Sequence, residues 1–444
     1  MKSLIFPIFI FVFVIGSAVP ETIDNELILY RGLPQIKTSL TEKEKSQIMN
    51  GVQGVVQLFK FLEEKNFFKT LTQISSVAGP IFSAISAILT VVFMFIEIES
   101  PEMALMKKEF ANLNNRIDKW GVEFQIIKRK IDWSAVQINF ADIENNIITL
   151  HKMLSTLPEV PIANRETQAA LFINTYEINY KAAGDILHRA MLNIEQIYSV
   201  NLLRAAQLYM ENDRNQVQEF MVGMMKLITQ AVQIEAAYVG LKYNNEEASK
   251  FTQSLWEKKL AVLKDKLEQI DTDTKNKYNE QYQKDLDNLL ATHYSQSNER
   301  FVTIAYDFFA TKYNWREWFV LVYKELSGFK DHAVVTCQGT HRFRTHGRNI
   351  IVSSVDQSEG DAAMAHINRN KQIIGNYNSQ WQGGEHSKHW VEYWGRVLPL
   401  CSDADTRASV AWGSNVWFIN TRLVVYQKNC VRGSSSCYNT YLFA

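Results

Sequence analysis

From Thr70 to Ile96 the chain runs for 27 residues without a formal charge, and from Val77 it reads VAGPIFSAISAILTVVFMFI. Water is a poor solvent for such a segment, so something else must cover it. At ~1.5 Å per residue, an apolar helix of roughly 20 residues matches the hydrocarbon core of a bilayer, and no other stretch past the N-terminal leader has that length. Three surroundings would satisfy it: a permanent membrane anchor, a helical bundle that holds the segment and releases it onto membranes, or an ordinary core in which it is the central helix.

Details within and around the run weigh on the choice. Pro80 lacks a backbone N–H, so Gly79-Pro80 is a hinge: the helix kinks there or starts afresh, leaving about 17 uninterrupted residues, marginal for an anchor. Lys60, Lys65 and Lys69 precede the segment while Glu97, Glu99 and Glu102 follow it, the reverse of what a stop-transfer sequence behind a cleaved leader requires. That leader is the N-terminus itself. Lys2, the apolar run Leu4 to Ile15 and the small residues Gly16, Ser17 and Ala18 read as a signal peptide over 1–18, which makes the mature chain secreted and extracellular.

All four cysteines, Cys337, Cys401, Cys430 and Cys437, fall near the C-terminal end. In a secreted chain that clustering predicts two disulfide bonds in one module. Four cysteines allow three pairings, and Cys337 with Cys401 and Cys430 with Cys437 is the favoured one. An anchor at 77–96 would place this module in a reducing compartment, a further argument against that reading.

Between leader and cysteines the sequence is helical. Ser100-Pro101-Glu102 supplies an N-cap hydroxyl, a first-turn proline and a carboxylate at the positive helix end. Behind it Met106, Phe110, Leu113, Ile117, Trp120, Phe124, Ile127 and Ile131 alternate in steps of four and three, a coiled-coil seam. After a phase skip the seam resumes at Val136, Phe140, Ile143, Ile147, Leu150, Leu154 and Leu157, and Pro158 and Pro161 stop it. No proline occurs between Ile162 and Leu398. Glu166 to about Met210, Asp213 to about Tyr243 and Glu246 to about Ser295 read as three further helices with a break at Asn244-Asn245, and Phe301 to Leu326 continues in helical style.

After Lys330 glycine, tryptophan and β-branched residues rise. Ala333 to Thr336, Asn349 to Val355, Val416 to Ile419 and Leu423 to Tyr426 read as short strands. The predicted fold class is therefore mainly α. An elongated bundle of long antiparallel helices over 19–329, with the apolar segment 77–96, precedes a small disulfide-stapled β-rich domain over 330–444.

Function is narrowed mostly by exclusion. Lys plus Arg equals Asp plus Glu at 47 each, so no global basic field points to a nucleic-acid partner. No G-x-S-x-G, H-E-x-x-H, phosphate loop or G-x-G-x-x-G occurs, so neither an enzyme nor a cofactor is expected. Six of nine histidines lie between His332 and His389. His386 and His389 are three apart, yet without CxxC pairs they match no closed zinc pattern, and they read as structural or surface residues rather than metal ligands. Trp390 and Trp394 with Arg396 are the candidate ligand-binding residues of the C-terminal domain, where aromatic faces and a cation suit a glycan or lipid headgroup; filling a small β core is the competing use of those rings.

Gly79-Pro80, Glu99-Ser100-Pro101, Lys108 to Phe110, Asn115 to Asp118 (Asn-Arg-Ile-Asp) and Ile131 to Trp133 (Ile-Asp-Trp) together resemble the cephalotoxin-like/rapunzel-like family over residues 76–154. That family includes secreted venom-gland toxins, and its layout is similar to α-helical pore-forming toxins, in which a hydrophobic hairpin sits on a long helical bundle. The resemblance implies a toxin-like, membrane-interacting protein. Its inserting residues would be Ile81, Phe82, Ile85, Ile88, Leu89, Val92, Phe93 and Phe95, its partner a lipid membrane or membrane-surface receptor, and its active form a homo-oligomer. The alternative is a secreted, non-lytic binding or extracellular matrix protein with the apolar helix as bundle core.

Overall fold

A computed structural model describes residues 139–192, 201–243, 246–324, 340–345 and 347–362, the strands at 333–335, 407–412, 416–419, 424–430 and 437–443, and scattered positions between 46 and 131 and between 364 and 368. The apolar segment 77–96 with its hinge Gly79-Pro80, Cys337 and Cys401, and Trp390, Trp394 and Arg396 lie outside the described residues.

The first helix, α1, spans Phe140–Thr156 and is capped by Asn139, whose side chain accepts from the Asp142 amide. The seam read from the sequence is its buried stripe: Phe140, Ile143, Ile147, Leu150 and Leu154 are all buried. The two prolines act where expected. A single 3₁₀ turn at Leu157–Glu159 contains Pro158, and Pro161 is the N-cap of α2, Ile162–Thr175.

The next stretch, read from the sequence as one helix to Met210, is broken into pieces. A π-helical turn at Tyr176–Tyr180 ends α2, Lys181 and Ala182 adopt the left-handed conformation (φ 47° and 57°), and α3 runs over Ala183–Leu192. A fourth helix, α4, covers Leu202–Tyr209 behind Asn201, whose side chain accepts from Leu203 and Arg204 amides at 2.9 and 3.1 Å. A second left-handed pair, Glu211 and Asn212 (φ 50° and 52°), turns the chain into α5.

Helix α5, Arg214–Tyr243, is the centre of the bundle. Its 30 residues are buried almost all round, the pattern of a helix enclosed by others. With α6, Glu246–Asn276, it forms an antiparallel pair: Arg214 meets Asp271 near one end and Glu235 meets Trp256 near the other. One helix ends at Tyr243 and the next begins at Glu246, on either side of the Asn244-Asn245 pair read from the sequence as a break. Trp256, Leu260, Leu263, Leu267 and Ile270 make the buried seam of α6 in alternating steps of four and three.

Two shorter helices, α7 (Tyr278–Thr292) and α8 (Asn298–Lys312), lead into β1, Arg316–Lys324. This strand corrects the helical reading of Phe301 to Leu326. Nearly every residue of REWFVLVYK is buried, on both faces, so the alternation that marks a half-exposed strand is absent from the sequence.

The remaining strands are β2 (Ala333–Val335), β3 (Thr340–Thr345), β4 (Arg348–Asp356), β5 (Arg407–Trp412), β6 (Val416–Phe418), β7 (Val424–Cys430) and β8 (Cys437–Phe443). They form two antiparallel four-stranded sheets, ordered β3-β4-β1-β6 and β2-β5-β8-β7. A second core joins α7, α8 and one face of the first sheet, centred on Tyr282, Phe309, Tyr313, Trp318, Ile350 and Val352. In the second sheet the register sets Cys430 directly opposite Cys437. Directly opposed residues of an antiparallel pair have Cα atoms about 4.5–5.5 Å apart, within the span of a disulfide.

Candidate functional site

The densest polar and aromatic cluster lies where α3, α5 and α6 meet beside the π turn. Wrapping the chain at Tyr176–Tyr180 into a wider turn leaves Tyr176 stacked between Tyr180 and Tyr238, with ring centroids 4.6 and 3.8 Å apart. Tyr180, fully buried, donates from its hydroxyl to Glu235 Oε1 at 2.8 Å. Trp256 Nε1 donates to Glu235 Oε2 at 2.7 Å, so both carboxylate oxygens have a donor from a different helix.

Gly184 makes this approach possible. A Cβ at that position would sit 2.6 Å from the Tyr180 hydroxyl and 2.7 Å from Ala231 Cβ, so only glycine lets α3 come this close to α5.

Around the carboxylate stands a ring of charge. Lys259 bonds Asp185 at 2.7 Å and lies 4.5 Å from the centre of the Trp256 ring, and Arg189 approaches Asp185 at 3.1 Å. His188 packs edge-on against Trp256, with Nε2 3.1 Å from the Lys259 carbonyl. At the outer end Glu177 accepts from Tyr238 at 3.0 Å and pairs with Lys242.

These surroundings move the ionisations in opposite directions. Burial raises the Glu235 carboxyl, against the two hydrogen bonds and Lys259, which lower it. Burial also lowers His188, opposed chiefly by its bond to the Lys259 carbonyl. The neutral imidazole is therefore the form the fold prefers, and Nδ1 is buried without a partner. Asp185 is held below the usual carboxylate range: burial, its largest influence, raises it, but Lys259, Arg189 and His188 together outweigh that.

A pH dependence follows from these signs. As pH falls through about 6.5 the unfolded chain takes up the His188 proton before the folded one does, so stability is lost between that value and the lower folded value. Glu235 works the other way, since its raised folded pKa makes acid favourable to the fold, so His188→Gln is the variant that isolates the histidine contribution. The thermal midpoint is therefore expected to fall between about pH 7.5 and pH 5.5, and His188→Gln to flatten that slope, in scans followed by circular dichroism.

A second polar layer crosses the core where α1 meets α5. His151 Nε2 lies 2.6 Å from Gln233 Oε1 and its Nδ1 3.3 Å from the Gln230 side-chain amide. Thr229 Oγ1, Gln230 Oε1 and Gln233 Nε2 remain buried without partners. Each uncompensated group costs about 1–3 kcal/mol, so this stretch of α5 is less stable than an apolar core would make it.

A third cluster ties the bundle to the second core. Asp285 on α7 is buried and accepts from Gln281 at 3.0 Å, from the Tyr313 hydroxyl at 2.6 Å and from Lys312 at 2.7 Å. Gln281 in turn accepts from Asn212, in the left-handed turn between α4 and α5.

None of these residues stood out in the sequence. The nearest signal was the Tyr176/Tyr180 spacing, which is equally at home on a plain helix. Among the described residues no group of three or more His, Cys, Asp or Glu side chains could hold a metal, and no helix is long and apolar enough to cross a membrane.

The described helices thus define a multi-helix bundle whose central helix carries partly unsatisfied polar layers and whose neighbours are fastened to it by one buried carboxylate. Residues 97–296 match the family model of the cephalotoxin-like middle helical domain, which bears out the resemblance carried by residues 76–154. The match begins at Glu97, immediately behind the uncharged run, and ends at Gln296, just before α8. No curated protein and no solved structure matches the chain.

Proposed function

We propose that this is a secreted, membrane-interacting protein that acts without catalysis, inserting the apolar segment 77–96 into a lipid bilayer as a homo-oligomer while the C-terminal domain binds the target surface. The observation that carries the reading is adjacency. A run of 27 uncharged residues ends at Ile96 and the cephalotoxin-like helical domain starts at the next residue.

The bundle's own chemistry supports it. A helix pack meant only to endure would fill α5 with apolar side chains, whereas Thr229, Gln230 and Gln233 put unpaired polar atoms there. Two left-handed pairs at non-glycine residues, Lys181-Ala182 and Glu211-Asn212, add roughly 1–2 kcal/mol of backbone strain per residue. Stability given up in these places lowers the cost of rearranging the bundle.

In the C-terminal domain, Cys430 and Cys437 close the β7–β8 hairpin through a disulfide, as their opposed register allows, and Trp390, Trp394 and Arg396 contact the target. Purified protein from Val19 onward is expected to release a self-quenched dye from liposomes at neutral or mildly acidic pH. If it releases nothing under either condition, the membrane reading fails and the non-lytic binding or matrix role stands.

A further inference from the structure

We propose that Arg348 is the base of a binding site for phosphate-type oxyanions at the first turn of α8. The residue opens β4, and strand alternation puts it on the same face as Ile350 and Val352, against α7 and α8. It is only 4% exposed. One nitrogen, Nη2, donates to the carbonyls of Tyr294 and Gln296 at 3.1 and 2.7 Å, and the guanidinium carbon lies 4.7 Å from the centre of the Phe301 ring. The other two, Nε and Nη1, are buried without any partner.

Among the described residues no carboxylate pairs with this cation, and arginine cannot escape burial by losing its proton. Burying a charge without a counter-charge is among the costliest arrangements a fold can hold, and two backbone carbonyls compensate only in part. The neighbouring helix worsens the imbalance. Arg348 touches Gln296 and Phe301, which bracket the start of the 15-residue helix α8, so the positive end of that helix adds to the field of the guanidinium. Ser297 Oγ takes the Arg300 amide at 3.2 Å, and Glu299 in the same turn is exposed to solvent rather than turned to the arginine.

A fixed guanidinium beside a helix N-terminus is a combination that binds phosphate. Access is short. Gly347, exposed and in the left-handed region (φ +74°), has open space where a side chain would be, and Tyr294 on the other side is 63% exposed. The anion would accept from Nη1 or Nε and from free amides at the start of α8. The same chemistry is offered by inorganic phosphate and by the phosphomonoester headgroup of phosphatidic acid. The proposal does not depend on insertion of the apolar segment.

The test uses the full chain freed of phosphate. Its thermal midpoint is expected to rise and saturate with added inorganic phosphate at an ionic strength held constant with chloride. Arg348→Met should abolish that response while unfolding in chloride at an equal or higher temperature, because it removes an uncompensated charge; Arg348→Lys should retain part of it. Equilibrium dialysis of the unaltered protein against labelled phosphate gives a readout independent of whether the variants fold. Lack of saturable uptake, or an undiminished phosphate response in Arg348→Met, overturns the site. Phosphatidic acid vesicles that capture the protein and lose it on addition of inorganic phosphate identify the headgroup as the source. A phosphate response without vesicle capture identifies the free anion.

Discussion

Lys312→Met is expected to lower the unfolding free energy by about 3–5 kcal/mol, a large share of the stability of any domain. The Lys312 and Asp285 side chains are 8% and 2% exposed and 2.7 Å apart, so removing the ammonium leaves a carboxylate in a site water does not reach. Gln281 and the Tyr313 hydroxyl still donate to it, which holds the loss toward the lower end of that range. Their presence also identifies what the pair is for. Burial and the neighbouring Asp285 raise the Tyr313 phenol far above its usual range, so it stays a donor at every accessible pH. The cluster is thereby a fixed joint: Gln281 carries it to Asn212 and so to the turn between α4 and α5. Asp285→Leu combined with Lys312→Met should recover most of the lost stability, since two well-packed apolar side chains avoid the desolvation of both ions. The recovered protein should nonetheless join the bundle to the second core less rigidly. Denaturant titration of the single and double variants measures the first effect. Hydrogen exchange across residues 210–216 measures the second.

What the sequence disclosed and what it hid depend first on how much of an element is buried. Wherever a helix has one buried face, the spacing of apolar residues is visible, and the stripe from Phe140 to Leu154 was legible residue by residue. Wherever an element is buried all round, periodicity vanishes. That is why β1 passed for helix, although Val320, Val322, Tyr323 and Trp318 have the β-branched and aromatic character of a strand. The pieces between Glu166 and Met210 were hidden for another reason. The π turn at Tyr176–Tyr180 is held by contacts with Tyr238 and Glu235, about 60 residues on, and such long-range partners leave no local trace. Asn201 did leave one, since an asparagine ahead of Leu-Leu-Arg is a helix start. The site residues fared worse than the fold. Glu235, Asp285 and Arg348 are single charges in unremarkable surroundings, and only burial, which the sequence does not print, sets them apart from solvated ones.

Ile85→Glu with Ile88→Glu is expected to abolish dye release while leaving a cooperatively folded chain, and this outcome separates the two readings of the apolar segment. The two positions are three residues apart, so on a helix they share one face. A charged residue at the centre of a spanning helix costs about 2.5–3.5 kcal/mol on insertion scales, so the pair should cut membrane partitioning by about three orders of magnitude or more. If the segment is instead the permanent core of the bundle, the same two carboxylates are buried without partners in the resting protein. Each then costs several kcal/mol, which together rivals the whole stability of a domain, and the thermal transition should collapse. Ile85→Ala with Ile88→Ala adds no charge, so it should leave a released segment able to insert while still loosening a packed core. Acid supplies a third discriminator. Toward pH 4.3 a glutamate becomes neutral and far cheaper to place in hydrocarbon, so the Glu variant should regain part of its lytic activity on acidification if insertion is the step it blocks. A chain whose core has come apart regains nothing by that route.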